Sequence, residues 1–84
     1  MTAEKRPLLI VAATMDDGKD AAERIGVDGF AIITPRSDAQ VGRVIRGVVV
    51  TPRFATLLEA NDRAASKILS CARIDARKSG VPFA

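Results

Sequence analysis

Three continuous apolar runs constrain this chain more than any other feature, and each ends in threonine. Leu8 to Ala13 ends at Thr14, Phe30 to Ile33 at Thr34, and Val48 to Val50 at Thr51. The last two endings share a tripeptide, Thr34-Pro35-Arg36 and Thr51-Pro52-Arg53. The runs do not alternate apolar and polar residues. An unbroken apolar run of this length fits a strand covered on both faces, as in a parallel sheet. Helical patterns separate the runs, so the expected class is α/β.

The segments between the runs carry helix signals. Met15 to Ile25 reads as a helix with Thr14 or Asp17 as cap, an Ala21, Ala22 and Ile25 stripe, and Gly26 as its stop. Asp16, Asp17 and Asp20 lie near its start, where the helix dipole favours negative charge. Ser37 with Gln40 forms a capping-box pattern for a short second helix with Val41, Val44 and Ile45 inward and Gly47 at its end. A long last helix is expected from about Ala55 to Lys78. Thr56 and Glu59 form its capping box, and Leu57, Leu58, Ala64, Ala65, Ile68, Leu69 and Ala72 its apolar stripe. The expectation is βαβαβα: a three-stranded parallel sheet in the order 2-1-3, with the most apolar strand central and helices on its faces.

The 84 residues allow one small domain, with a core over about 7–80 and tails at 1–6 and 81–84. Such a domain buries only ~60% of its unfolded surface, and an oligomer would relieve that shortage. The chain has one cysteine, Cys71, and no histidine. A disulfide framework and His-based metal or catalytic sets are excluded. A lone thiol on a helix fits a reducing compartment, so a cytoplasmic location is expected. Without a histidine to activate it, Cys71 reads as a buried, inert thiol. Lys5-Arg6 before Leu8 to Ala13 faintly resembles a secretory leader, but the apolar run is short and soon meets Asp16-Asp17. No stretch reaches the ~20 apolar residues of a membrane span.

Net charge is +3 and unevenly spread. Residues 1–30 hold four basic and six acidic side chains; residues 31–84 hold nine basic and four acidic ones. The basic half could meet nucleic acid or an acidic partner, or form a solvated helix face. Its nucleic-acid candidates are Arg63, Lys67, Arg73, Arg77 and Lys78, with Glu59, Asp62 and Asp75 diluting them. The three aromatic residues are all Phe, so base stacking has few candidates.

The strand ends offer a second constellation. In a parallel sheet, ligands gather at the carboxyl ends of the strands. Thr14, Lys19, Thr34, Arg36, Thr51 and Arg53 could together hold a phosphate or carboxylate there. The plainer alternative is local: Thr caps a helix, Pro follows at its first position, and Arg points to solvent. Ala13 to Asp20 stands where a phosphate loop would stand. It lacks that loop's first Gly and its metal-binding hydroxyl, and Asp16 and Asp17 would repel phosphates. The Asp16, Asp17 and Asp20 cluster could hold Mg²⁺, but more simply suits a helix start. No acid–base pair stands at a telling spacing, so neither a cofactor, a metal nor catalysis is expected.

Taken in order, Leu8 to Thr14, Arg24-Ile25-Gly26, Ile33-Thr34-Pro35-Arg36 and Gly47 to Thr51 resemble small Rossmann-like proteins of actinobacterial bacteriophages. The likeness covers roughly 8–70. It implies a stripped half-domain without a nucleotide loop, in an accessory role in the host cytoplasm through contact with a host or phage protein. The preferred expectation is therefore a non-catalytic interaction module that self-associates, a homo-oligomer covering its open sheet edges. An anion- or nucleotide-binding domain and a nucleic-acid accessory protein are the alternatives.

Overall fold

The computed structural model describes residues 6–38 and 41–81. Its elements run β1 (Leu8–Val11), α1 (Met15–Ile25), β2 (Phe30–Ile33), β3 (Gly47–Val50), α2 (Pro52–Glu59) and α3 (Arg63–Ser79). The strands form one parallel sheet in the expected order, β2-β1-β3. Ile10 lies level with Ile32 on one side and Val49 on the other. The central place of β1 follows from its composition. Leu9, Ile10 and Val11 are completely buried, as suits a strand covered on both faces and paired on both edges.

The two faces are covered unequally. Beneath α2 and α3, Leu9, Val11, Ala31 and Ile33 pack with Ile45, Phe54, Ala65, Ile68 and Ala72. On the other face Ile10, Ala12, Ala22 and Ile32 form a smaller cluster under α1. That helix packs on β1 and β2. The expected α1 stripe needs correction here. Gly18 and Ala22 are the buried positions, whereas Ile25 is 50% exposed.

Two helix expectations are overturned. Among the described residues, no helix forms between Ser37 and Gly47. Gln40, half of the proposed capping box, lies outside the described residues. Ser37 instead pairs with Thr34, its backbone N–H donating to the Thr34 carbonyl (3.1 Å) and its carbonyl accepting from the Thr34 N–H (2.9 Å). Val44 is exposed, and Ile45 alone of the proposed stripe is fully buried. The segment crosses as a loop tied to α3. The Gly42 N–H donates to the Asp75 carboxylate (2.8 Å) and the Ile45 N–H to the Ser79 hydroxyl (2.9 Å). Ile45 is the buried residue of the crossing, and a backbone N–H so placed needs a partner.

The long last helix is two helices. Asn61 adopts φ 60°, which ends α2, and Asp62 caps α3 by accepting from the Ala65 N–H (3.0 Å). The start of α2 is Thr51 with Pro52 at the first turn, not a Thr56 and Glu59 box. Thr56 sits inside α2, its hydroxyl donating to the Pro52 carbonyl (3.1 Å).

Candidate functional site at the carboxyl ends of the strands

Thr14, Asp17 and Thr51 meet where β1 and β3 end. Thr14 accepts from the Asp17 N–H (3.1 Å), which caps α1. The Asp17 carboxylate reaches back and accepts from the Ala13 N–H (3.0 Å). The same oxygen accepts from the Thr51 hydroxyl at 2.6 Å, the short distance of a charge-assisted bond. Thr51 is buried, and its oxygen also accepts from the Phe54 N–H (3.2 Å), capping α2. One acidic side chain thus joins the starts of two helices and the end of the central strand. No buried side-chain polar atom among the described residues lacks a partner.

This arrangement uses inward the groups that an anion would need. The Thr51 hydroxyl and the Ala13 N–H both donate to the Asp17 carboxylate, and the Thr14 oxygen accepts from the Asp17 N–H. Thr34 behaves differently from its twin. Its hydroxyl accepts from the Arg36 N–H (3.2 Å), two residues on, which makes a turn and not a helix cap. Thr34 and Arg36 end β2, while Thr51 and Arg53 follow β3. The sheet order sets the central strand between them, a separation of about two strand spacings or ~10 Å. Lys19 lies on one flank of α1, lining a shallow depression with Glu23, Asp28 and Phe30. Arg53 lies on the other flank. The six strand-end candidates therefore divide among three places.

The Gly-Lys pair that stands where a phosphate loop would stand has a packing role. A Cβ on Gly18 would lie 2.6 Å from Cγ2 of Ile32. Glycine here lets α1 lie close on β2. Among the described residues no three Asp, Glu or Cys side chains gather as a metal-ligand set. Cys71 is half-buried, more accessible than its place beside the apolar stripe implies.

A groove of about 320 Å³ opens beside this cluster, between α1 and the edge strand β3. Ala21, Ile25, Val49 and Pro52 line it with apolar surface, and Asp17, Asp20, Arg24 and Arg53 carry its charge. Sequence reasoning missed it. Val49 reads as one residue in a buried strand, and only the position of α1 over β1 and β2 leaves its side of the sheet open.

All five α3 candidates for nucleic-acid contact, Arg63, Lys67, Arg73, Arg77 and Lys78, are exposed. Asp75, expected to dilute them, is 3% exposed and bonded to the crossing loop. No described helix is long and apolar enough to cross a membrane. No family model, curated protein or solved structure matches the chain.

Proposed function

We propose that the chain is a non-catalytic α/β interaction module that pairs with a second copy of itself through β3 and the groove beside it. The observation that supports this most is the state of β3. One edge of the strand pairs with β1, and the other has no strand partner among the described residues. Gly47 to Val50 carries no charge, Pro or bulge to discourage pairing. Its Val49 face is only half-covered.

A second copy fits better than an unrelated partner. Antiparallel pairing of β3 with its twofold mate is self-complementary and continues the sheet across both copies. The groove rim carries both signs, Asp20 with Arg24 and Arg53, so a twofold can oppose unlike charges. In the phage setting that the sequence resemblance implies, the paired module works in the host cytoplasm, where a host or phage protein is its further partner.

The anion- or nucleotide-binding alternative has less support, because the Asp17 carboxylate takes the Thr51 hydroxyl and the Ala13 N–H and sets a negative charge among the strand ends. Sedimentation velocity across concentration tests the preferred reading. The expected result is a dimer that Val49→Lys or Ile25→Lys dissociates with the circular dichroism spectrum unchanged. Ile25 is half-exposed, so its replacement spares the core. A monomer at every concentration overturns the reading.

A further inference from the structure

Helix α3 carries a basic row on its outer face. Arg63, Lys67, Ser70, Ile74, Arg77 and Lys78 follow mainly at helical spacings of three and four, and all are exposed. The buried positions Ala65, Ile68, Ala72, Asp75 and Ala76 define the opposite side. The row spans about 15 residue steps, or ~22 Å at the helical rise.

No acidic side chain interrupts it. Asp75 is turned inward to the Gly42 N–H (2.8 Å). Asp62 is engaged by the Ala65 N–H at the helix start, and Glu59 belongs to α2. The fold thus turns Asp75 away from the row, while Asp62 and Glu59 lie ahead of its first cation.

Tertiary structure also adds cations that the sequence scatters. The loop bonds from Gly42 to Asp75 and from Ile45 to Ser79 place the exposed Arg43 and Arg46 at the foot of α3. A guanidinium nitrogen of Arg6 lies 3.5 Å from the Ser79 carbonyl. The loop is held on the inner side of α3, so Arg6, Arg43 and Arg46 lie around the helix's last turn, at the same end of the molecule as Arg77 and Lys78 but not in line with the row. Along the chain, Glu4 stands two residues before Arg6 and Asp38 five before Arg43, and Asp28 lies in the turn before β2.

We infer that this surface binds the phosphate backbone of duplex nucleic acid without reading its sequence. Cation pairs at the two ends of one helix face, Arg63 with Lys67 and Arg77 with Lys78, match a rod that carries one negative charge per ~1.7 Å of axis. Single strands fit less well, because binding them relies on exposed aromatic platforms. Among the described residues, Phe54 is fully buried, and the half-exposed Phe30 begins β2, on the strand that lies outside the α3·β1 and α3·β3 contacts. A bilayer fits less well, because Ile74 is the one large apolar side chain in the row.

Fluorescence anisotropy with labelled, arbitrary-sequence duplexes across a salt series tests the inference, with DNA and RNA duplexes as separate arms. The phosphate chemistry is common to both, and the tighter arm names the source. With about five phosphate contacts, log K should fall against log salt with a slope near −4 to −5. Arg77→Gln with Lys78→Gln, and separately Arg43→Gln with Arg46→Gln, should each reduce that slope by about two. Lys19→Gln, on α1, should leave it unchanged. All the replaced side chains are exposed, and an unchanged circular dichroism spectrum confirms the fold. No binding to either duplex at low salt overturns the inference. So does a slope insensitive to both double variants, or capture by anionic vesicles in place of duplex. The self-association surface lies at β3, so a monomeric chain that binds duplex separates failure of one reading from failure of the other.

Discussion

Asp17 shows how one residue can take a site's donors for the fold. Its carboxylate accepts from the Ala13 N–H and the Thr51 hydroxyl, while its own N–H donates to Thr14. Bonds to a charged acceptor contribute about 1.5–3 kcal/mol each when the alternative is an unsatisfied group. Thr51 is buried, so loss of the carboxylate takes the acceptor from a hydroxyl that the native fold shields from solvent. Asp17→Ala should therefore lower unfolding free energy by about 2–3 kcal/mol. In a double-mutant cycle with Thr51→Val, urea unfolding should reveal a coupling above about 1 kcal/mol. Additive losses would show that the 2.6 Å contact is incidental. The threonines were legible in the sequence as cappers. That Asp17 would join two of them was not, because Asp17 and Thr51 are 34 positions apart.

At the level of elements, packing rather than propensity sets α1. Gly18 lies inside the helix, where Ala would ordinarily gain ~1 kcal/mol. Here the added Cβ would meet Cγ2 of the buried Ile32 at 2.6 Å. That atom is a branch next to the backbone and cannot swing aside, so overpacking costs of about 1–3 kcal/mol apply. Gly18→Ala should lower the melting temperature, and a rise would show that α1 can lift off β2 freely. Packing also explains the missing second helix. Ser37 with Gln40 is a reasonable local start, but Asp75 and Ser79 hold the backbone of the segment as a crossing loop. The last helix breaks for a local reason instead. Asn61 takes a left-handed conformation and Asp62 caps α3 directly after it. The sequence contains that pair, but a continuous apolar stripe conceals it.

For the whole molecule, small size and an open edge act together. A chain of 84 residues has little core to spare, and self-association would add burial that the monomer lacks. Folding and pairing are then linked by mass action. The melting temperature should rise by several degrees over about a hundredfold increase in concentration, and Val49→Lys should abolish the dependence. A melting temperature independent of concentration in the unmodified chain would separate stability from pairing. The basic row of α3 and the groove at β3 are different surfaces, so one contact leaves room for the other.

The sheet was already written in the amino-acid order. Three unbroken apolar runs specify three parallel strands, and the most apolar run became the central one, because only that place buries both faces and both edges. The role of each strand end was not written there. Thr34-Pro35-Arg36 and Thr51-Pro52-Arg53 have the same residues in the same order. Thr34 bonds the N–H two residues on and makes a turn, while Thr51 bonds the N–H three residues on and starts a helix. The difference lies in the next residue and in the place the fold holds for it. Phe54 has a core position under the sheet and draws its segment into α2, whereas Ser37 pairs back onto Thr34 and the chain leaves to cross beneath α3. Local hydrogen bonding offers a threonine both outcomes, a turn or a helix cap, and long-range burial selects between them.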